Sequence, residues 1–248
     1  MQRYFIDSSQ YDGSRIQILS DDAHHIKNVM RGKIGDTIYC VLSPNQVLEA
    51  KIYAFEDKIV IAEVVRFIEE NRELPITVTI AQGLPKGEKL EWVLQKGTEL
   101  GMHHYVPLQM ERSIVKLDAK KTEKRLERWN KIVKEAAEQS YRNLLPTISS
   151  VQNLKQLTSN YAHYTYKLIA YEEEAKKEHS KKCLQETFEK VKAGESIIIV
   201  FGPEGGISEK EIGLLKGAGF LPCALGPRIL RTETAPLYFL SALSYKLE

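Results

Sequence analysis

Hydrophobic and polar positions change rhythm once along this chain. Up to Phe67 the apolar residues come in short β-rich runs: Arg15-Ile-Gln-Ile-Leu19, Thr37-Ile-Tyr-Cys-Val-Leu42, Val47 to Phe55 and Lys58 to Phe67. Turn signals separate them at Asp12-Gly13, Gly35-Asp36, Ser43-Pro-Asn45 and Glu56-Asp57. One short helix is predicted near Asp22 to Arg31. Short strands at such close spacing predict a small barrel. Glu69-Glu-Asn-Arg-Glu-Leu-Pro75 is polar and ends in proline, and the domain boundary is placed there, giving residues 1–72 and 73–248.

Beyond the boundary, short apolar runs alternate with amphipathic stretches. Strands are predicted at Ile76 to Ala81, Tyr166 to Ala170 and Ser196 to Phe201. Helices are predicted at Gly87 to Leu100, Asp118 to Tyr141, His179 to Lys192, Ser208 to Gly217 and Ala235 to Lys246. Wholly apolar strands between amphipathic helices imply an α/β domain, with a mainly parallel sheet flanked by helices on both faces.

With 248 residues, 43% apolar and 27% charged, the chain has the composition of a soluble globular protein. Its net charge of +2 is a weak argument for a nucleic-acid partner, but the distribution is uneven. Residues 1–72 carry 9 Lys/Arg against 11 Asp/Glu, and residues 84–148 carry 13 against 9. A local basic region can bind phosphates while the total stays near neutral. Cys40, Cys183 and Cys223 are far apart and odd in number, and no histidine pair is spaced for a metal, so a reduced cytoplasmic setting without a metal centre is expected. The start, Met1-Gln-Arg-Tyr-Phe-Ile-Asp, does not read as a signal peptide, and no apolar stretch is long enough to span a bilayer.

Four segments could carry chemistry. In Ile197-Ile-Ile-Val-Phe-Gly-Pro-Glu-Gly-Gly-Ile-Ser208 a buried strand runs into a glycine-rich turn, with Ser208 and Glu211 spaced as a capping box for the next helix. Ligands bind at the carboxyl ends of parallel strands, and glycines let backbone approach them closely. The turn lacks a phosphate-loop lysine, and Glu204 inside it would repel a polyphosphate but tolerate a sulfonium or an amine. A tight connection with no ligand is the competing reading. In Leu225-Gly-Pro-Arg-Ile-Leu-Arg-Thr-Glu-Thr-Ala235, Arg228, Arg231 and Glu233 precede the last helix, which Thr232 or Thr234 can cap, with Pro236 in its first turn. Here the rival is an Arg–Glu pair that only pins a loop. In Lys86 to Leu100 the residues Lys89, Trp92 and Lys96 share a helix face, able to hold a phosphate and stack a base, or to be a solvated rim. In Asp118 to Arg142 the residues Leu126, Trp129, Val133 and Ala136 form a buried stripe, with Lys121, Lys124, Arg125, Arg128 and Lys131 mostly outside it. Arg112 and Arg142 stand at element ends.

Together these segments resemble, over nearly the whole chain, the RsmE family of 16S rRNA uridine N3-methyltransferases in the SPOUT superfamily. Phe201-Gly-Pro-Glu-Gly-Gly-Ile-Ser208 and Leu225 to Ala235 look like its two cofactor motifs. Lys86 with Gln95-Lys-Gly-Thr-Glu-Leu-Gly101, Glu111-Arg-Ser113 and Glu138-Gln-Ser-Tyr-Arg142 look like its other signatures. Tyr141 departs from the family, which often has a smaller residue, commonly glycine, at this position.

The resemblance implies a PUA-like N-terminal β-barrel that helps bind RNA, a SPOUT-type trefoil-knotted sheet, and a homodimer. It implies S-adenosyl-L-methionine held by Gly202, Pro203, Glu204, Gly205 and Gly206, and by Leu225, Gly226, Arg228, Ile229, Leu230, Thr234 and Ala235. Lys86, Lys89, Lys96, Arg112 and Arg142 would meet 16S rRNA in the 30S subunit, with Arg231, Glu233 and Arg112 serving the chemistry. Methylation of another RNA, or RNA binding without catalysis, are the alternatives.

Overall fold

The computed structural model describes residues 3–42, 46–116, 119–171, 173 and 180–248. The turn at Ser43-Pro-Asn45, the helix starts read at Asp118 and His179, and the side chain of Lys121 lie outside the described residues. The chain divides into two compact units, residues 1–73 with 137–145, and residues 74–136 with 146–248.

The first unit is a five-stranded sheet of β1 (Arg3–Ile6), β2 (Arg15–Ile18), β3 (Thr37–Leu42), β4 (Gln46–Glu56) and β5 (Ile59–Ile68), in the order β1-β3-β4-β5-β2. β1 pairs parallel with β3 and the remaining pairs are antiparallel. The sequence predicts a barrel. Among the described residues the strands form a curled half-barrel sheet, with β1 and β2 at the two ends of its pairing order. Register shifts at Glu49/Ala50 and Ile52/Ala54 bend β4 against β5, as bulges do. Helix α1 (Ser20–His24) runs into one π turn over His25–Val29 and covers a core that includes Tyr4, Ile16, Ile18, Cys40 and Leu48.

The same unit holds a buried polar knot of side chains. Arg3 Nη1 donates to the Tyr141 carbonyl at 2.7 Å, and its guanidinium also meets Glu70. Tyr141 has φ +59°, the left-handed region where a side chain is strained, and its ring lies 5.4 Å from the Arg3 guanidinium and 5.6 Å from that of Arg72.

The second unit is built on six strands: β6 (Thr77–Gly83), β7 (His104–Leu108), β8 (Thr147–Ile148), β9 (Tyr166–Ala170), β10 (Ser196–Phe201) and β11 (Leu221–Cys223). Their order is β11-β9-β10-β6-β7-β8, and every registered pair is parallel. The helices are α2 (Lys89–Glu99), α3 (Ala119–Gln139), α4 (Leu154–Asn160), α5 (Ser180–Lys190), α6 (Glu209–Gly217) and α7 (Thr234–Leu247).

Strand β10 shows why both faces need helices. Ile197, Ile199 and Phe201 enter one apolar cluster with Val93 and Leu94 of α2 and Phe239 and Leu240 of α7. Ile198 and Val200 enter the opposite cluster with Leu157 of α4 and Leu215 of α6. Burying each such side chain contributes about 1.5–3 kcal/mol, so a strand with no polar face stands only inside a covered sheet. Among the described residues, no helix is long and apolar enough to cross a membrane, and no group of three His, Cys, Asp or Glu could hold a metal ion. Cys40 and Cys223 are buried, and no disulfide joins the three cysteines.

Candidate functional site

Strand β10 ends at Phe201, and the chain turns at once through Gly202 to Gly206. Close packing fixes this turn. A Cβ on Gly202 would lie 2.9 Å from Ile207 Cγ1, and one on Gly83 would lie 2.5 Å from Pro203 Cδ. Gly205 presses on another loop, since its Cβ would stand 2.9 Å from Arg112 Cβ. Arg112 Nη1 donates to the Gly205 carbonyl at 3.0 Å, and Gly206 adopts φ +72°. The expected capping box closes the segment: Ser208 accepts from Glu211 N–H, and Glu211 Oε2 accepts from Ser208 N–H at 3.0 Å. Glu111 joins it, accepting from the Ser208 hydroxyl at 2.7 Å.

The second loop, Leu225 to Glu233, is held from below. Neither Thr232 nor Thr234 caps α7, contrary to the sequence expectation; the Arg231 carbonyl instead accepts from Thr234 N–H at 2.9 Å and Ala235 N–H at 3.0 Å. The Thr232 hydroxyl is used elsewhere, donating to the Gly202 carbonyl at 3.0 Å and so tying the two loops together. Gln82, the penultimate residue of β6, donates from Nε2 to the Thr232 carbonyl at 2.7 Å. Tyr105 of β7 donates to Gln82 Oε1 at 2.8 Å.

Between the loops lies a cleft of about 740 Å³ at the carboxyl end of the parallel sheet. That is within the range of small-molecule sites. Lys89, Arg112, Arg228 and Arg231 line it together with Glu204. Lys89 Nζ stands 2.9 Å from Glu204 Oε1, and the Lys86 N–H donates to the same oxygen at 3.0 Å. Burial works to raise the Glu204 pKa, but the Lys89 hydrogen bond, the Lys86 N–H and the Lys89 charge outweigh it and hold the carboxyl below its usual range. The hydrogen bond to Glu204 correspondingly raises Lys89. Glu233 Oε2 lies 3.5 Å from Lys89 Nζ, an ion pair rather than a formed hydrogen bond, and this buried oxygen has no hydrogen-bond partner among the described residues.

A family model described as an RNA methyltransferase domain matches residues 72–244. The ribosomal RNA small subunit methyltransferase E of Bacillus subtilis is 46% identical over 100% of this chain and 98% of its own length. That of Synechocystis is 30% identical over 99% of this chain and 78% of its own. The chain belongs to the ribosomal RNA small subunit methyltransferase E family. The crystal structure of a family member from Neisseria gonorrhoeae, bound to S-adenosyl methionine, superposes with TM-score 0.85 at 28% identity, covering 99% of this chain and 97% of that one.

In this methyltransferase E chain the two glycine-bearing loops chosen from sequence face one cleft. Gly202, Pro203, Glu204, Gly205, Gly206, Leu225, Gly226, Arg228, Ile229, Leu230 and Ala235 all line it, as do Arg112, Arg231 and Lys89. Glu233 joins them through Lys89, whereas Thr234 is outside the lining. Lys86 is exposed beside Glu204. Lys96 lies two turns along α2 from Lys89, paired with Glu99 at 2.8 Å and 5.6 Å from the ring of Trp92, which is 53% exposed.

Arg142 is a correction. The sequence expectation has it meeting RNA, yet it is 3% exposed and Glu73 takes its guanidinium, with Nε 2.8 Å from Oε2. A cation so paired is an internal brace of the first unit rather than a phosphate contact. Sequence reasoning also missed Ala170, Tyr171 and Glu173 in the lining. Ala170 ends β9 and the other two follow it, and the rule that ligands collect at strand carboxyl ends would have found them. Gln82 and Tyr105 carried no such signal.

Proposed function

We propose that this protein transfers the methyl group of S-adenosyl-L-methionine to N3 of a uridine in 16S rRNA of the 30S subunit. The observation that carries the reading is the cleft itself: two loops with the family's motifs meet around one space of cofactor size in a chain 46% identical to a curated methyltransferase E. When bound there, the cofactor supplies an electrophilic methyl group. Gly202 to Gly206 and Leu225 to Ala235 hold it, and Glu204 offers a carboxylate in the same cleft.

The chain's own task is to position the uracil and manage its N3 proton. Arg231 and Arg112 stabilise the charge that deprotonated N3 shares with the two uracil oxygens. Glu233, with a buried oxygen left without a hydrogen-bond partner, takes the proton. Lys86, Lys96 and Arg112 meet RNA phosphates or bases, and Lys89 organises the cleft instead.

The reading includes a PUA-like RNA-binding domain over residues 1–72 and a SPOUT methyltransferase domain over residues 73–248. A trefoil knot is supported by the way the chain returns after β11, so that Thr232 bonds both the Gly202 carbonyl and Gln82. The protein is read as a homodimer acting in the cytoplasm, where ribosomal RNA is modified; the homodimer is supported by a second groove of about 580 Å³ beside Phe188 and Tyr245, which shares Leu225 to Pro227 with the cleft. Leu184, Phe188, Ala242 and Tyr245 line that groove, an apolar strip suited to a second copy.

The test is methylation of purified 30S subunits that lack the modification, with mapping of the labelled base. Label at N3 of one uridine is expected. Label on another base or another RNA, or cofactor binding without transfer, overturns the assignment.

A further inference from the structure

We propose that Gln82 and Tyr105 are positioning residues for methyl transfer, a buried relay that fixes the peptide carrying Arg231 and Glu233. The inference rests on the methyl-transfer reading above. Both side chains are fully buried, at 0% exposure, in a sheet whose other interior positions are largely apolar. A buried amide and a buried phenol are costly unless each polar atom is matched, and apolar residues of the same shape would satisfy the core equally well. Here every partner is present, and the matching runs in one direction.

The Thr232 carbonyl can only accept, so Gln82 must turn Nε2 toward it, at 2.7 Å. Oε1 then faces inward and needs a donor, which the Tyr105 hydroxyl supplies at 2.8 Å. Burial raises the Tyr105 pKa, so the hydroxyl keeps its proton. Gln82 Nε2 also lies 3.1 Å from Thr232 Oγ1, which in turn donates to the Gly202 carbonyl at 3.0 Å. The relay therefore runs from the sheet interior, through one amide, to both loops of the cleft.

Its target is a single residue flanked by the two proposed to act on the uracil. The Arg231 carbonyl is already engaged by Thr234 and Ala235 at the start of α7. With the Thr232 carbonyl and hydroxyl also engaged, the peptides on either side of Thr232 have fixed planes. Arg231 and Glu233 then leave the backbone in fixed directions without a bond from Gln82 to either side chain. Displacement of a reacting group by about 1 Å can cost a hundredfold in rate, so losing this anchor should be felt in transfer.

The test compares Gln82→Met, Tyr105→Phe and the double variant for Tm, calorimetric affinity for S-adenosylmethionine, and single-turnover transfer to 30S subunits. Gln82→Met alone leaves the Tyr105 hydroxyl unmatched and should lower Tm and rate together. The double variant also removes the unmatched Tyr105 hydroxyl and should regain that part of the Tm, while the Thr232 carbonyl still lacks its Gln82 donor. Its transfer should stay about tenfold or more below wild type, with cofactor affinity reduced severalfold because Thr232 lines the cleft. A double variant that regains Tm, affinity and rate together overturns the proposal and leaves the relay a packing device. Should the double variant fail to fold, a folded Tyr105→Phe with wild-type affinity and rate overturns it equally. Wild-type protein that binds cofactor but leaves 30S subunits unmethylated counts against the substrate reading alone, and the affinity comparison still decides the relay.

Discussion

Lys89 reaches from the first turn of α2 to place its Nζ 2.9 Å from Glu204 Oε1 in the glycine-rich turn. The folded state lowers Glu204 below its ordinary 4.5 and raises Lys89 above its ordinary 10.5. A lowered acid contributes stability above its unfolded value and loses it as pH falls through the folded one. A raised base contributes below its unfolded value and loses it as pH rises through the folded one. The pair therefore helps between roughly pH 4.5 and 10.5, modestly because water screens it. Lys89→Met should lower Tm slightly across that window and converge with wild type in stronger acid and stronger base. A Tm gap that persists unchanged into strong acid would assign the effect to the lysine stem.

Gly205→Ala should weaken cofactor binding about tenfold or more. Its methyl group would meet Arg112 Cβ at 2.9 Å and the Arg112 carbonyl at 3.2 Å, so the turn must move. Gly213→Ala in α6 is the control, with nothing within 4 Å of the new Cβ. It should stabilise by about 0.5–1 kcal/mol and leave binding alone. Calorimetry and thermal melts on both variants check this, and equal cofactor affinity in Gly205→Ala removes the turn from the site.

Arg142→Ala should cost about 3–5 kcal/mol of stability, because it removes the guanidinium that pairs with the Glu73 carboxylate, itself 6% exposed. Glu73 keeps the N–H groups of Asn143 at 2.8 Å and Leu144 at 3.1 Å, which soften the loss without cancelling the charge. Chemical denaturation measures the cost. The salt dependence of 30S binding should match wild type in any folded fraction, and a flatter slope would restore Arg142 as a phosphate contact.

Arg231→Ala should slow methyl transfer at saturating cofactor and RNA with little change in cofactor affinity, since uracil charge develops only as N3 loses its proton. Glu233→Gln should slow it as well, with partial recovery at higher pH if solvent can take the proton instead. Single-turnover rates on 30S subunits decide, and wild-type rates in both variants would leave the two residues as loop pins.

Residue for residue, β9 and β10 match the sequence reading, because short runs with an apolar centre, Leu168-Ile169 and Ile197 to Phe201, have no other stable home between helices. Strand β7 escaped it. His103-His104 at its start and Pro107 inside it argue against an interior strand. The proline is accommodated because its carbonyl accepts from Gln152 N–H at 3.0 Å, so the missing donor faces the side of β8, beyond that strand's two residues. The glycine-rich turns were legible because close approach leaves a composition signal. Gln82 left none, since an amide after an apolar run looks like the end of a strand, and its partners lie far along the chain at Tyr105 and Thr232. Tyr141 was visible only as a departure from the family. Its φ of +59° accounts for the glycine common there, while the stacking on Arg3 and Arg72 that steadies a tyrosine depends on residues remote in sequence.

Strand β10 pairs Ser196 with Thr77 on one side and Ile197 with Tyr166 on the other, with no hairpin to either neighbour. Such pairings form slowly, because long loops must close before any ladder bond rewards them. On the proposed reading the glycine-rich turn at the end of this strand holds the methyl donor, so that site exists only once the strand has found both neighbours. Cofactor binding then acts only on the completed fold, and S-adenosylmethionine should protect that fold from unfolding and from proteolysis.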